Sequence, residues 1–159
     1  MIKILFICHG NICRSPMAEF VMKDLVRKAG LEDEFVIRSA ATSREEIGND
    51  THYGTRQVLR EHHIPFSRRR AVQVVPSDYD AYDYLIVMDD NNLYNLRRII
   101  GEDRDHKVKK LLSFCGLQRD VADPWYTDDF ETTYRDVKDG CEALLSYLER
   151  NSGIDTPHA

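Results

Sequence analysis

Residues 8–16 combine a candidate nucleophile with a candidate anion clamp. The segment reads Cys-His-Gly-Asn-Ile-Cys-Arg-Ser-Pro, so five residues separate the thiol of Cys8 from the guanidinium of Arg14. A loop of this length can curl until the sulfur lies at its base and Arg14 binds two oxygens of one anion. Ser15 can donate a hydrogen bond to the sulfur and so favour the thiolate, the reactive form of cysteine. The spacing predicts a site that binds a phosphate-sized anion and attacks it.

The elements on either side of this segment would aim its backbone at the anion. Residues 2–7 form a short apolar run that is typical of a buried parallel strand. After the segment, Pro16 suits a first helical position, and apolar residues recur at helical spacing as far as Gly30. A helix N-terminus offers unpaired N–H groups and the positive end of the helix dipole, which hold an anion without a metal.

The remaining apolar runs predict an α/β fold. Runs at 35–40, 84–88 and 107–114 indicate three more strands, the last an edge strand flanked by lysines. Right-handed crossovers place the carboxyl ends of parallel strands on one rim. We expect a single α/β domain over residues 1–150, followed by a polar tail at 151–159. Its sheet would have four parallel strands in the order 2-1-3-4, with helices on both faces and the phosphate-binding loop after strand 1.

Two of the predicted helices carry detailed expectations. Residues 52–63 predict a helix that turns Tyr53 toward the core. A later helix ends at Gly101, and Asp90 or Asn91 suits its N-terminal cap.

The composition of the chain indicates which classes of partner and which location to expect. The 159 residues carry a net charge of −5 with both signs spread along the sequence, so neither a nucleic acid nor a membrane is an expected partner. The apolar length of residues 1–4 is too short for a signal peptide or a spanning helix, which predicts a cytoplasmic location. Arg14 would repel a metal cation from Cys8, His9 and Cys13, so no metal or other cofactor is expected.

Residues 7–16 closely resemble the signature of the low-molecular-weight protein-tyrosine phosphatases. Gly10, Asn11, Cys13 and Ser15 all match inside the Cys-x5-Arg pattern. Ser-Ala-x-Thr-Ser, Met-Asp-x-x-Asn-Leu and an Asp-Pro pair followed by two aromatic residues extend the resemblance along the chain. The resemblance implies hydrolysis of phosphotyrosine and small aryl phosphates through a phosphocysteine intermediate.

The resemblance also implies the roles of the site residues. Cys8 would be the nucleophile, Arg14 the clamp and Asp123 the general acid and base. A phenol, whose pKa is about 10, leaves poorly unless it is protonated, so an acid beside the bridging oxygen suits this substrate. The residues expected to contact phosphate or substrate are His9, Gly10, Asn11, Ile12, Cys13, Ser15, Trp125 and Tyr126.

Two residues outside the loop are expected to support it. The resemblance implies that Ser39 hydrogen-bonds Asn11 and that Asp89 buttresses Arg14. Both residues follow predicted strands, so they would share the rim with the loop. An ordinary strand-end serine is the plainer interpretation of Ser39.

The cysteine pair in the loop suggests redox sensitivity. The sequence has four cysteines but no signal-peptide pattern, which predicts that the thiols are reduced. The resemblance implies that Cys13 traps oxidised Cys8 as a reversible disulfide. The alternative is that Cys13 only packs.

Two positions depart from the family pattern. Arg44 or Glu45 stands where the family usually has an aromatic residue at the pocket mouth, which predicts a more polar rim. Residues 69–72, Arg-Arg-Ala-Val, replace the family's His-x-Ala-Arg, so the histidine that would brace Ser39 and Asn11 is absent.

Three alternatives share the same loop. Arsenate reductases need two further cysteines close together, whereas Cys115 and Cys141 lie far apart. Protein-arginine phosphatases have threonine at the position of Ile12 and lack the bulky aromatic pair. A non-catalytic oxyanion-binding module would need neither Cys8 nor Asp123. We therefore expect a phosphotyrosine protein or small aryl phosphate as substrate, bound by a monomer or weak homodimer.

Overall fold

Four parallel strands form the centre of the molecule. In the computed structural model, which describes residues 1–151, they are β1 Ile2–Cys8, β2 Phe35–Ala41, β3 Tyr84–Val87 and β4 Val108–Lys110. Their order in the sheet is β2-β1-β3-β4, and every neighbouring pair is parallel. The predicted sheet and strand order are confirmed. Most of the predicted polar tail lies outside the described residues.

Helices connect the strands and follow the last one. They are α1 Arg14–Lys28, α2 Tyr53–Glu61, α3 Asp78–Ala81, α4 Asp90–Ile100, α5 Pro124–Thr127 and α6 Phe130–Asn151, with 3₁₀ helices at Glu32–Glu34 and Leu111–Cys115. Because α1 begins at Arg14, the prediction that Pro16 is the first helical residue is wrong. The first four N–H groups of a helix have no partner within it, so a proline at the third position breaks no helical hydrogen bond.

The side chains of β1 alternate between two cores. Ile4, Phe6 and Cys8 join one apolar cluster with residues of α1, α2 and α6. Leu5 and Ile7 join the other, with residues of α3 and α4. Successive strand residues point to opposite faces, so a continuous apolar strand needs cover on both sides. The expectation of helices on both faces of the sheet is confirmed.

β4 is shorter than the strand predicted at 107–114. It ends at Lys110, and the chain turns into a 3₁₀ helix at Leu111. Leu111 and Leu112 are both buried in the same core, whereas consecutive residues of a strand would face opposite sides. A helical turn lets both leucines pack toward α6. There Gly140 leaves the space, since a Cβ atom on it would lie 2.5 Å from Leu111 Cγ.

The start of α2 also differs from the prediction. The helix spans nine residues instead of 52–63, and Tyr53 is 65% exposed, so the prediction that it faces the core is wrong. The ring of Phe130 fills the space beside the helix, where a Cβ atom on Gly54 would lie 2.5 Å from it. The Tyr53 ring instead stacks on His52, with 4.5 Å between ring centroids.

Candidate active site

The loop between β1 and α1 wraps around the sulfur of Cys8. Cys8 is buried, and its Sγ accepts hydrogen bonds from the N–H groups of Asn11, at 3.3 Å, and Ser15, at 3.4 Å. The Ser15 hydroxyl lies 3.1 Å from the same sulfur. These groups belong to the loop and to the first turn of α1, where backbone N–H groups point toward an incoming anion. Hydrogen bonds of this kind stabilise negative charge on sulfur.

Arg14 is a buried cation held by two acidic side chains. Its Nη1 donates to Asp89 Oδ2 at 2.7 Å and to the Val121 carbonyl at 2.9 Å, and its Nη2 lies 3.4 Å from Asp123 Oδ2. Burial opposes the charge on Arg14, but the negative groups Cys8, Asp89 and Asp123 outweigh it and raise the pKa of the guanidinium above its ordinary value. The clamp is therefore charged and fixed in direction.

Asp89 uses both carboxylate oxygens. While Oδ2 binds Arg14, Oδ1 accepts from the Asn92 N–H at 2.7 Å and caps α4. The Asn92 side chain accepts in return from the Asp89 N–H at 3.2 Å, which completes a capping box. The prediction that Asp90 or Asn91 caps this helix is wrong, because the helix begins immediately after the residue that binds Arg14.

Asp123 lies at the start of α5. Its Oδ1 accepts from the Trp125 N–H at 3.0 Å, and Pro124 occupies the first helical position. Proline disfavours helical geometry at the residue before it, and Asp123 is extended. Proline itself suits the first turn of a helix. The single helical turn that follows therefore presents the Asp123 carboxylate toward Arg14.

All three predicted catalytic residues line one cavity. Its wall is formed by Cys8, His9, Gly10, Ile12, Cys13, Arg14, Glu45, Glu46, Asp123, Trp125 and Tyr126. Trp125 and Tyr126 are 59% and 84% exposed. Arg44 is absent from this wall and contacts Gln73 instead. The wall is polar at Glu45 and Glu46, in line with the prediction of a polar rim.

Asn11 holds the shape of the loop from behind. It is fully buried and has a φ of 59°, in the left-handed region that asparagine adopts more readily than most residues. Its Nδ2 donates to Ser15 Oγ at 2.8 Å and to Ser39 Oγ at 2.9 Å. Its Oδ1 accepts from the Val72 N–H at 3.1 Å and from the guanidinium of Arg69. Four hydrogen bonds therefore maintain a conformation that few side chains tolerate.

Arg69 and Glu19 are support residues that the sequence analysis did not identify. Arg69 contacts Asn11 at the place left by the missing histidine, and the Ser39 hydroxyl donates to Glu19 Oε1 at 2.5 Å. Burial lowers the pKa of Arg69 from its ordinary value, while Glu19, Cys8 and Asp50 act in the opposite direction. An arginine guanidinium is not deprotonated in proteins, so Arg69 keeps its charge. The bracing network is thus present, with a permanent cation instead of a histidine.

Replacing Arg69 by glutamine should lower kcat/KM on an aryl phosphate by about tenfold to a hundredfold. A hydrogen bond to a charged partner contributes roughly 1.5–3 kcal/mol, and its loss frees the Asn11 side chain that shapes the loop. Arg69→Lys should recover part of the loss, because lysine keeps the charge but not the planar fork. Steady-state kinetics on the purified variants would measure both effects.

Arg68→Gln is the matched control for this experiment. Arg68 is the adjacent arginine, and it is exposed. It should keep the activity of the wild-type protein. If Arg68→Gln and Arg69→Gln lost activity equally, the network around Asn11 would have no role of its own.

Cys13 is a protonated thiol in the wall of the cavity. Burial raises the pKa of this thiol, and the nearby charges of Cys8 and Asp123 raise it further. A thiol is a far weaker nucleophile than a thiolate. Cys8 is therefore the better placed of the two cysteines to attack a bound anion.

His52 joins the phosphate-binding loop to the segment that carries Asp123. Its N–H donates to the Ile12 carbonyl at 2.8 Å, and its ring lies between Phe130 and Trp125, with centroid distances of 5.1 and 5.9 Å. Burial lowers the pKa of His52, and the charge of Arg56 acts in the same direction. The sequence assigns no role to His52, because Ile12, Trp125 and Phe130 lie far from it along the chain.

A nucleophilic cysteine at a strand end and a buried arginine at the start of the next helix, facing one cavity, define a cysteine-dependent phosphatase. The pattern of the family described as "Low molecular weight phosphotyrosine protein phosphatase" matches residues 3–153. The chain belongs to the low-molecular-weight protein-tyrosine-phosphatase family, and it is a hydrolase of that family.

Named relatives support this assignment. The low-molecular-weight protein-tyrosine-phosphatase YfkJ of Bacillus subtilis is 42% identical over 156 residues, which cover 97% of this chain and all of that protein. PtpA of Staphylococcus epidermidis, a phosphatase described in the same words, is 35% identical over 155 residues, covering 97% and 98% of the two chains.

Solved structures resemble the whole chain. The crystal structure of YfkJ from Bacillus subtilis matches with a TM-score of 0.91 at 42% identity and covers 94% of this chain and 96% of that one. The Drosophila arginine phosphatase DARP matches with a TM-score of 0.85 at 27% identity, over 94% and 99% of the two chains. In residues 1–151, no helix is long and apolar enough to cross a membrane, and no group of three or more His, Cys, Asp or Glu is placed to hold a metal ion.

Proposed function

We propose that this phosphatase hydrolyses phosphotyrosine with Cys8 as nucleophile, Arg14 as clamp and Asp123 as general acid and base. The observation that carries the proposal is the convergence of these three groups on one cavity. The sulfur of Cys8 lies at its base among donors, the guanidinium of Arg14 is fixed by two carboxylates, and Asp123 lies 3.4 Å from that guanidinium. Binding alone would require neither a nucleophile nor an acid.

In the first step, the Cys8 thiolate attacks phosphorus in line with the phenolic oxygen. A sulfur–phosphorus bond forms as the bond from phosphorus to the phenolic oxygen breaks. Arg14 and the loop N–H groups stabilise the charge on the other three phosphoryl oxygens. Protonated Asp123 gives its proton to the departing oxygen, so that a neutral phenol leaves.

In the second step, water attacks phosphorus on the opposite side from sulfur. Asp123, now a carboxylate, takes a proton from the water as the new phosphorus–oxygen bond forms. The sulfur–phosphorus bond breaks, and the Cys8 thiolate and inorganic phosphate are released. One carboxyl group thus serves both steps, because Asp123 donates a proton in the first step and recovers a proton from water in the second.

An aromatic substrate fits the walls of this cavity. Trp125 and Tyr126 are large, exposed aromatic side chains on one side, and Ile12 adds an apolar contact from the loop. Aromatic rings pack favourably against one another in offset or edge-to-face arrangements. These three residues support phosphotyrosine over phosphoarginine, whose side chain is slender and charged. The expected cytoplasmic location, weak or absent self-association and disulfide between Cys8 and Cys13 stay predictions.

The proposal is tested by turnover on two peptides that differ only in phosphotyrosine or phosphoarginine, with a metal chelator present. We expect hydrolysis of the phosphotyrosine peptide with a kcat/KM at least about tenfold higher, which corresponds to roughly 1.4 kcal/mol of transition-state discrimination. Hydrolysis of phosphoarginine alone would move the enzyme to the specificity that the name of DARP describes. Phosphate binding without turnover on either peptide would leave an oxyanion-binding module.

A further inference from the structure

A second cleft lies next to the candidate active site. It has a volume of about 370 Å³ and is lined by His9, Thr42, Ser43, Asn95, Arg98 and Ile99. Three of these residues lie on one face of α4, and two follow β2. None of them is one of the proposed catalytic groups.

The cleft is rich in hydrogen-bond donors that have no partner. Thr42 is 8% exposed, and its hydroxyl is the one buried side-chain oxygen or nitrogen in residues 1–151 without a hydrogen bond. Arg98 is exposed and forms no ion pair with a described residue, and its guanidinium lies 6.0 Å from the centroid of the Tyr94 ring. A buried hydroxyl left unpaired costs free energy, and a ligand in the cleft can satisfy it once the Thr42 side chain turns toward that ligand.

The chemistry of the wall favours an anionic ligand. The Arg98 guanidinium, the Asn95 amide and two hydroxyls can all donate, and no carboxylate forms part of the wall. One acidic side chain, Glu45, contacts a residue of the wall, with its Oε2 2.7 Å from His9 Nε2. Planar guanidinium groups bind phosphate oxygens in pairs, so a phosphate group suits this set best.

The second cleft is held at a fixed position relative to the nucleophile. The Thr42 N–H donates to the Cys8 carbonyl and the Ser43 N–H to the His9 carbonyl, both at 3.0 Å. His9 also forms part of the wall of both clefts. A ligand with two anionic groups can therefore place one at Cys8 and the other beside Thr42.

We propose that the cleft lined by Thr42, Ser43, Asn95 and Arg98 binds a second phosphate group carried by the same substrate as the phosphotyrosine. The proposal rests on the proposed function for its first phosphate and adds a substrate class, the doubly phosphorylated peptide. A single peptide that occupies both clefts loses its translational freedom once, so the second contact adds directly to affinity.

The test measures the affinity of the inactive Cys8→Ser protein for a singly phosphorylated peptide and for a series of doubly phosphorylated peptides. All peptides share one sequence with one phosphotyrosine. The reference peptide has no other phosphate, and each doubly phosphorylated peptide carries a second phosphorylated residue one, two, three or four positions away. We expect the best doubly phosphorylated peptide to bind about threefold to tenfold more tightly, the range for one charge-assisted contact at a partly exposed site. The difference should shrink at high salt, because exposed charges are screened.

Arg98→Gln and Asn95→Asp should each reduce this preference in the Cys8→Ser background. Arg97→Gln is the matched control, since Arg97 is an exposed neighbour on α4 that does not line the cleft. It should keep the full preference. The proposal would be overturned if the Cys8→Ser protein bound the singly and doubly phosphorylated peptides equally at every spacing. It would also be overturned if the Arg97 and Arg98 variants lost the same amount of the preference.

A titration with inorganic phosphate separates the two sources of the anion. In NMR spectra, changes in the backbone amide chemical shifts of Asn95 and Arg98 on addition of the doubly but not the singly phosphorylated peptide would support a phosphate carried by the substrate. Shifts caused by free phosphate, with no preference between the peptides, would overturn it. Turnover of the singly phosphorylated peptide by the wild-type enzyme tests the proposed function separately, because the binding measurements do not depend on catalysis.

Discussion

Replacing Cys8 by serine should reduce kcat on any phosphate monoester by at least about 10⁴-fold, because a hydroxyl ionises far less readily than a thiol and no carboxylate or imidazole within residues 1–151 forms a hydrogen bond to this position. Oxygen occupies less space than sulfur, so the buried site can hold the hydroxyl beside the N–H groups of Asn11 and Ser15 without a clash. The variant should therefore fold and still bind phosphate. Initial rates on p-nitrophenyl phosphate, together with phosphate binding measured by calorimetry, would show both results.

Cys115→Ser provides the control for this substitution. Cys115 is a partly exposed free thiol in the 3₁₀ helix after β4 and lines no part of the active-site cavity. Its replacement should leave turnover within about twofold of the wild type, as expected for a surface position without a structural role. If Cys8→Ser kept more than a tenth of the wild-type rate, the nucleophile would have to be a different group.

Asp123→Asn should lower kcat on phosphotyrosine by about 10²- to 10⁴-fold, the usual contribution of general acid–base catalysis. Asparagine cannot give a proton to the phenol, but its side-chain oxygen can still accept from the Trp125 N–H and cap α5. The loss should be much smaller in the first step for p-nitrophenyl phosphate, whose phenol is acidic enough to leave unprotonated. Burst and steady-state kinetics on the two substrates would separate the steps.

Asp128→Asn is the matched control for Asp123→Asn. Asp128 ends α5, is exposed and has a φ of 57°, a conformation that asparagine also adopts readily. Its rate should stay near that of the wild type. If Asp123→Asn slowed the first step equally for both leaving groups, its carboxylate would act by orienting Arg14 and not by proton transfer.

The phosphate-binding loop was predictable because its parts are neighbours in the sequence. Cys8, Arg14 and Ser15 lie within eight consecutive residues, so the ends of β1 and α1 alone determine where they meet. Asp123 is distant from Arg14 along the chain and was identified by its resemblance to the family, together with the need for an acid near a phenol. The four parallel strands were predictable from the apolar runs and from the right-handed crossovers that join them.

The errors arose where a residue's partner lies far away in the sequence. Arg69 is one of three consecutive arginines, and only the path of the chain after α2 decides which of them reaches Asn11. Glu19 occupies an ordinary helical position until its contact with Ser39 is known. The apolar pair Leu111 and Leu112 fits a strand or a helical turn equally well until α6 is placed against it.

Contacts between the acid segment and the phosphate-binding loop also affect how the enzyme moves. Arg14 holds the Val121 carbonyl at 2.9 Å, Val121 donates to the Met88 carbonyl at 2.9 Å, and His52 contacts both Trp125 and the Ile12 carbonyl. Enzymes with mobile lids bring their acid into place only after substrate binds, and this closure often limits their rate. Here these contacts tie the segment that carries Asp123, the proposed acid, directly to the phosphate-binding loop. We therefore expect bond breaking to follow substrate binding without a separate step of lid closure.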